Sequence, residues 1–282
     1  MTNVLTVPEL SSQKFSRGEL AKHVTTSAGR LEVRFAQDHD DVAAAQALRF
    51  RVFFEEMQAL AEPIAHMNRR DIDPFDDVCD HLLVVDHDRP QNEAVVGTYR
   101  LLREDAAARC GGFYSSAEYD LTPLIRGPWR SGGLLELGRS CVHPAYRSHA
   151  TIQLLWRGIA RYLDAFNIDL MFGCASFPGR NPQYHQIGLS YLHENHLAPI
   201  NYRVRAVASQ HVPMSMVSSK AYSLREAVRG LPPLIKAYLR LGAFIGDGAV
   251  IDQAFGTTDV FILLPVDRIA TRYLNHLNRS AT

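Results

Sequence analysis

Hydrophobic and polar positions recur with several different periods along the chain, and each period predicts one kind of secondary structure. The alternating stretch 31–36 predicts a first strand, and apolar residues one turn apart predict a helix that follows it. Asp40 or Asp41 is expected to cap that helix, which ends near Met57. Residues 58–80 contain two prolines and five aspartates, so they are expected to form an irregular loop.

Further apolar runs predict the strands of a sheet. These strands are expected over residues 81–86, 94–102, 134–142, 168–176, 201–208 and 259–266. Apolar residues three and four apart predict a long helix over 149–166, and a shorter helix is expected over 184–196. Together the elements indicate an α/β (α+β) fold, in which helices flank both faces of a mixed, mostly antiparallel sheet.

The chain is expected to form one folded domain preceded by an arm. Residues 1–30 are polar and aperiodic, and we interpret them as a flexible N-terminal arm. Residues 31–282 fit a single domain, because a 282-residue chain that is 46% hydrophobic can bury a full core. Fifty residues separate the last two predicted strands, and they predict a basic helical insertion at about 209–256.

Charge and cysteine content narrow the class of protein. The 30 basic and 30 acidic residues give no net charge, so the chain lacks the overall positive field of a nucleic-acid-binding protein. The four cysteines form no CxxC motif and are expected to be reduced thiols. The N-terminus does not resemble a secretory signal, and no apolar run is long enough to cross a membrane. A cytoplasmic protein, free or peripheral on the inner membrane, is expected.

The strand predicted over 134–142 carries two charged residues, Glu136 and Arg139. Residues three apart in a regular strand point to opposite faces, but a bulge at Gly138 would bring both side chains to one cleft. Opposite charges in so apolar a strand are costly unless they are paired or functional. A structural ion pair and a catalytic pair are therefore the two interpretations.

The acidic loop 71–80 is a second candidate for chemistry, because its carboxylates repel one another unless a cation is near. Its spacing does not fit the calcium-binding loop, whereas a diamine substrate would suit it. A solvated acidic loop is the simpler interpretation. Nearby, Arg49 and Phe53 lie one turn apart and share a face of the first helix.

The strand 134–142 leads through a short loop into the helix 149–166, whose free N–H groups suit a phosphate or a thioester oxygen. That loop contains Arg147 and Ser148 but no glycine, so it would cradle a pyrophosphate poorly. Further along, the basic amphipathic segment 220–245 suits docking to an acidic protein or an anionic lipid surface, with a packed surface helix as the alternative.

Taken together, these residues resemble the motifs of acyl-homoserine-lactone synthases, which are GNAT-fold enzymes that use acyl carrier protein thioesters. The matching residues are Arg49, Phe53, Asp73, Asp76, Arg100, Glu136 and Arg139. The chain departs from that family in its greater length and in lacking a tryptophan between the first helix and the acidic loop. Over roughly 31–270 it instead resembles a sister branch, the ornithine lipid N-acyltransferases. The motifs that carry this likeness are RFRVFFEEM, LELGRSCVHPAYR and LPPLIKAYLRLGAFIG.

The resemblance implies transfer of a 3-hydroxyacyl group from acyl carrier protein to the α-amine of L-ornithine, which gives lyso-ornithine lipid. It implies no metal and no permanently bound cofactor, since 4′-phosphopantetheine arrives with the carrier protein. The glycine-poor loop agrees with phosphopantetheine, which brings a single phosphate to that point, rather than with coenzyme A. The expected partners are acyl carrier protein, L-ornithine and a membrane surface, without nucleic acid.

An amine that attacks a thioester must first lose a proton, and Glu136 is the expected base once burial raises its pKa. Arg139 is expected to orient Glu136 or to bind the substrate carboxylate. Backbone N–H groups near Cys141 to His143 are expected to stabilise the tetrahedral intermediate. The expected substrate-binding residues are Arg49, Phe53, Asp73, Asp76 and Arg100, with the two aspartates receiving the cationic side chain. The expected donor-binding residues are Cys141, Val142, His143, Arg147 and Ser148.

Three alternatives remain open. A homoserine-lactone synthase would use S-adenosylmethionine as the amine, and a coenzyme A-dependent acetyltransferase would need a better pyrophosphate cradle. A non-enzymatic membrane-surface protein would use the basic segment but leave Glu136 without a role. Cys141 also invites a covalent mechanism, although its apolar neighbours favour core packing and direct transfer.

Overall fold

The computed structural model describes residues 22–60, 63–127 and 132–269, which are organised around a ten-stranded sheet. In chain order its strands are β1 (Thr26–Ala28), β2 (Leu31–Phe35), β3 (Asp80–Asp86), β4 (Val95–Arg103), β5 (Tyr119–Asp120), β6 (Gly133–Val142), β7 (Ile168–Pro178), β8 (Arg205–Ala206), β9 (Phe244–Asp252) and β10 (Thr257–Pro265). In space they are ordered β1-β2-β3-β4-β6-β7-β10-β9-β8-β5. The β6–β7 and β8–β9 pairs are parallel and the others antiparallel, so the predicted mixed sheet is confirmed.

The helices lie on both faces of this sheet. They are α1 (His39–Phe50), α2 (Pro63–Asn68), α3 (Glu104–Arg109), α4 (Thr122–Ile125), α5 (His149–Ala165), α6 (Gln186–His196), α7 (Leu224–Gly230) and α8 (Pro233–Leu241). Alternation along β3 separates the two packing layers: Leu82 and Val84 belong to the core under α5, whereas Leu83 and Val85 belong to the core under α1. None of the described helices is long and apolar enough to cross a membrane.

The first helix and the loop after it differ from the expectation. Asp38 caps α1, since its side chain accepts from the Asp41 N–H, and the helix continues as a π-helical turn over Arg51–Glu56. The loop expected over 58–80 contains α2 and a 3-10 turn, Pro74–Asp77. Asp73 caps that turn, which is a local structure that the cluster of aspartates does not reveal by periodicity.

The predicted N-terminal arm, the strand expected over 201–208 and the helical insertion need correction. The last part of the expected arm, Thr26–Ala28, forms β1 against β2, while residues 1–21 lie outside the described residues. The strand expected over 201–208 is reduced to the two residues of β8. The predicted helical insertion contains α7 and α8, but its end is β9, a full strand of the sheet between β8 and β10.

The parallel strands β6 and β7 pair only over their first halves. The last pair joins Glu136 and Phe172, and beyond it the strands part to form a fork between residues 137–142 and 173–178. β6 carries a bulge at this point, because Thr98 and Arg100 of β4 face Cys141 and Gly138, two residues against three. The predicted bulge is thus confirmed, although the residue with positive φ, 49°, is Arg139 rather than Gly138.

The backbones are closest where the fork begins. A Cβ built on Gly173 would lie 2.3 Å from the carbonyl oxygen of Leu137, so only glycine fits there. We expect Gly173→Ala to lower the free energy of unfolding by about 2 kcal/mol, because the neighbouring backbone must shift. Urea denaturation would measure this. Gly230→Ala is the matched control, since its Cβ would meet nothing within 4 Å; equal stability of the two variants would contradict the tight approach.

Candidate active site

A closed network of opposite charges lies beside the fork and is called the Arg–Asp ring here. Its members are Arg49, Arg100, Arg139, Asp71, Asp73 and Asp76. Each aspartate accepts hydrogen bonds from two arginines, and each arginine donates to two aspartates, at 2.6–3.1 Å. Three positive and three negative charges therefore neutralise one another in a largely buried site.

The ring corrects the role expected of the acidic loop. Asp73 and Asp76 already hold protein cations, so they are not available to receive the cationic side chain of a substrate. Arg49 has no exposed surface and serves the ring rather than a substrate. Burial alone would raise the pKa of Asp76, but hydrogen bonds and charge from Arg49 hold it well below its ordinary range.

Glu136 occupies the last paired position before the fork and is almost completely buried. Its Oε2 accepts from the N–H of Tyr114 at 2.7 Å, and its Oε1 accepts from the N–H and the hydroxyl of Ser115 at 2.8 and 2.5 Å. Burial raises the pKa of Glu136, although these hydrogen bonds oppose the shift. Arg139 donates to Asp71 and Asp73, and its expected role, either orienting Glu136 or binding the substrate carboxylate, stays a prediction.

A cavity of about 280 Å³ opens in the fork. Its apolar lining residues include Phe53, Met57, Leu102, Leu137, Leu234 and Phe255. Its charged lining residues are Arg100, Glu118, Glu136, Arg139, Asp252 and Asp259. The bulge therefore brings Glu136 and Arg139 to one cleft, as predicted. Phe53 also lines the cavity and packs edge-on against Phe255, with ring centroids 5.5 Å apart.

Sequence reasoning missed three carboxylates of this cavity, Glu118, Asp252 and Asp259, which are called the acidic wall here. Burial raises the pKa of Asp259 to about 6. Burial, together with the charges of Asp259 and Asp252, raises the pKa of Glu118 to about 7. The signal that revealed Glu136, a charge in an apolar strand, also marks Asp259 in DVFILLPV. Glu118 and Asp252 carry no comparable sequence signal.

The residues predicted to bind the acyl donor continue along the chain from the fork. On β6 the cavity lining ends at Ser140. Ser148 is the N-cap of α5, and Arg147 forms two hydrogen bonds to Glu56 at 2.6 and 2.7 Å. The segment between the cavity and that helix contains Cys141, Val142 and His143. The five predicted donor-binding residues therefore follow one another along the chain from the cavity to α5. Its role as a donor site stays a prediction.

Cys141 packs in the core under α1, as expected. Burial raises the pKa of its thiol to about 12, so the thiolate that covalent catalysis requires is strongly disfavoured. Among residues 22–60, 63–127 and 132–269, no group of three or more His, Cys, Asp and Glu side chains is arranged to hold a metal ion.

A forked pair of parallel strands beside a partly apolar cavity is the arrangement of a GNAT-fold acyltransferase, and this enzyme is one. Residues 48–157 match the family model described as an acetyltransferase (GNAT) domain. An N-acyl amino acid synthase from uncultured soil microbes aligns with a TM-score of 0.46 and 13% identity, covering 84% of this chain and 92% of that one. The AHL synthase LasI gives a TM-score of 0.45 at 13% identity, covering 86% of this chain and 95% of its own.

Two curated relatives specify the branch. The L-ornithine N(alpha)-acyltransferase of Brucella abortus is 51% identical over 257 residues, covering 90% of each chain. That of Rhizobium meliloti is 46% identical over 277 residues, covering 96% of this chain and 93% of its own. The chain therefore belongs to the L-ornithine N(alpha)-acyltransferase family, and the predicted relationship is confirmed.

The ring predicts a large loss of stability when one member is removed. We expect Arg49→Ala to lower the free energy of unfolding by about 3–5 kcal/mol, because Asp71 and Asp76 keep their charges in the interior without that partner. Arg147→Ala, which breaks an exposed pair with Glu56, is the control and should cost about 1 kcal/mol or less. If urea denaturation gave the two variants similar losses of unfolding free energy, the prediction for the ring would be wrong.

The raised pKa of Glu118 predicts a pH-dependent stability. The protonated side chain stabilises the folded state below the ordinary glutamate pKa, and this contribution is lost as the pH rises through about 7. We expect Glu118→Gln, which cannot ionise, to raise Tm more at pH 8 than at pH 5. The gain at pH 8 should be on the order of 1 kcal/mol, since Glu118 is only partly buried. Glu226→Gln on exposed α7 should show no such pH dependence; a uniform shift for both variants would refute the prediction.

Proposed function

We propose that the enzyme transfers a 3-hydroxyacyl group from acyl carrier protein to the α-amine of L-ornithine, forming lyso-ornithine lipid. The observation that carries the proposal is the composition of the cavity. Aromatic and aliphatic side chains suit an acyl chain, while arginines and carboxylates suit an amino acid, and both sets meet in the fork. The names of the curated relatives support ornithine as the acceptor.

The fork supports an extended thioester donor. Past Glu136 the β7-facing edge of β6 has no strand partner, so its backbone groups suit the amides of a phosphopantetheine arm. From Glu136 to Val142 is six residues, which in a strand span about 20 Å. The thioester would lie near Glu136, and the phosphate would lie towards Arg147, Ser148 and the N-terminus of α5.

Because of this distance, we no longer assign stabilisation of the tetrahedral intermediate to the N–H groups expected from the sequence. The N–H groups near Cys141 to His143 lie too far from Glu136, and the His143 N–H already donates to Val96 at 2.9 Å. Gly138, Arg139 and Ser140 of the bulge line the cavity, and we assign the role to the backbone N–H groups of this segment. Residues 141–143 then serve the donor arm rather than the reacting carbonyl.

The proposed reaction is direct transfer. Glu136 takes a proton from the α-ammonium, directly or through a water, and the neutral nitrogen attacks the thioester carbon. A C–N bond forms and the C–S bond breaks. The extra proton on the attacking nitrogen passes to the departing sulfur, which leaves as a thiol. Arg139 uses Nε and Nη2 for the ring, and its remaining donors suit the carboxylate of the acceptor.

The basic segment supports an acidic partner. α7 and α8 are two short helices, and Ile235 and Tyr238 of α8 pack into the core. α7 instead exposes Leu224 and Val228, at 65% and 37%, beside the exposed Arg225 and Arg229. This surface suits the acyl carrier protein, with the anionic cytoplasmic face of the inner membrane as the second candidate.

The donor and acceptor are tested by incubating the enzyme with a 3-hydroxyacyl carrier protein and one amine at a time. L-Ornithine, S-adenosylmethionine, L-lysine and glycine are compared by thiol release and product mass. Thiol release with ornithine, and a product of ornithine plus the acyl mass, would support the proposal. Release with S-adenosylmethionine alone would assign a lactone synthase, and release with none would reject acyl transfer to these amines.

The proton acceptor is tested by Glu136→Gln. We expect kcat to fall at least 100-fold at neutral pH, because the glutamine cannot accept a proton. Ser115→Ala is the matched control, since it removes one hydrogen bond to Glu136 but leaves the carboxylate, and it should retain most of kcat. Thermal melts would confirm that both variants fold. A Glu136→Gln variant that keeps most of its kcat would remove Glu136 from the mechanism.

A further inference from the structure

The acidic wall forms a continuous strip along one side of the cavity. Glu118 Oε2 lies 3.7 Å from the thiol of Cys174 on β7. Ser176, two residues further and so on the same face, pairs with Asp259 on β10. Two residues back on β10, Thr257 pairs with Asp252 at the end of β9. The pairing of β7, β10 and β9, with Glu118 in contact with Cys174, thus places the three carboxylates over one face of the sheet.

Two polar atoms of this strip are buried without a partner. Asp259 and Thr257 are 6% and 3% exposed, and both line the cavity. Asp259 Oδ1 and Thr257 Oγ1 have no well-oriented hydrogen-bond partner within 3.5 Å among the described residues. A buried carboxylate oxygen without a donor is costly, and the cost is removed when a ligand supplies the donor.

The negative charge of the wall is not neutralised by the protein. The Arg–Asp ring balances its own three positive and three negative charges. Within the described ranges, none of the three wall carboxylates forms an ion pair with Lys, Arg or His at 4.0 Å or less. Asp252 Oδ1 is occupied only by the N–H groups of Ala254 and Phe255. The strip can therefore bind a cation supplied by a ligand.

We propose that the acidic wall binds the side-chain ammonium of a diamino acid acceptor, with Asp259 Oδ1 and Thr257 Oγ1 as its buried acceptors and Glu118 as the third. This inference rests on the proposed function, and it gives the enzyme its preference for an amino acid with a second amine. An ammonium has three donors and no acceptor. Asp259 Oδ1 and Thr257 Oγ1 lack a hydrogen-bond partner, and Glu118 Oε2 accepts only from the Cys174 thiol at 3.7 Å, so all three can accept from it.

The placement also explains why the α-amine is the one acylated. An ammonium held by the carboxylates of Asp259 and Glu118 keeps its proton, since nearby negative charge favours its charged form, and a protonated amine cannot attack. The α-amine of the same molecule then reaches towards Glu136 and the thioester. Binding of one amine thereby selects the other.

The test compares L-ornithine with L-norvaline, which has the same carbon chain without the second amine. For each acceptor, kcat and KM are measured with 3-hydroxyacyl carrier protein, and binding to the free enzyme is measured by calorimetry. Wild type, Asp259→Asn and Glu118→Gln are compared with Asp267→Asn, an exposed carboxylate outside the cavity, as the control.

We expect Asp259→Asn to raise KM for ornithine about 10- to 100-fold, the loss typical of one hydrogen bond to a charged group. KM for ornithine should rise at least tenfold more than KM for norvaline, and Glu118→Gln should act in the same direction. Asp267→Asn should change nothing. An unchanged ratio of ornithine to norvaline in both wall variants would overturn the proposal while leaving the proposed function intact.

Calorimetry distinguishes failure of the proposed function from failure of the ammonium site. If wild type transfers no acyl group to ornithine, the proposed function fails. Tighter binding of ornithine than of norvaline, abolished by Asp259→Asn, would still support the ammonium site. Equal binding of both amino acids would overturn it.

Discussion

The Arg–Asp ring is the interaction on which the rest of the active site depends. It joins α1, the loop after it, β4 and β6, which come from separate parts of the chain. Each isolated pair would repay its desolvation poorly, but a closed ring gives every aspartate two cationic partners and every arginine two anionic ones. The four segments are therefore fixed relative to one another by one cooperative unit rather than by separate contacts.

The ring also explains the shape of β6. Arg139 donates to Asp71 and Asp73 from its position in the bulge, where its backbone takes a positive φ. That conformation is unfavourable for a residue with a side chain, and the hydrogen bonds to the ring compensate for it. The same bulge interrupts the regular strand next to the point where β6 leaves β7. An electrostatic network thus sets the backbone geometry of the fork.

The hydrophobic pattern predicted the long helices and strands well, because each buried face of such an element requires apolar residues at regular positions. In β3 both faces are buried, one in each of two cores. The pattern failed for β9, where Gly246, Asp247 and Gly248 interrupt the alternation, and for β5, which has two residues. It predicted β8 but made it too long, because only two of its residues pair with other strands. Glu136 and Arg139 were found because a charge in an apolar strand is conspicuous. Their partners were not, since Arg139 and Asp71 are 68 residues apart and no local rule connects them.

The two halves of the cavity have separate origins in the chain. The ring, Glu136 and the fork-bearing β6 lie within residues 48–157, which match the general acetyltransferase domain, whereas Asp252 and Asp259 come from a hairpin beyond it. Substitutions in the hairpin of β9 and β10 would therefore change one side of the cavity and leave every residue of the ring in place.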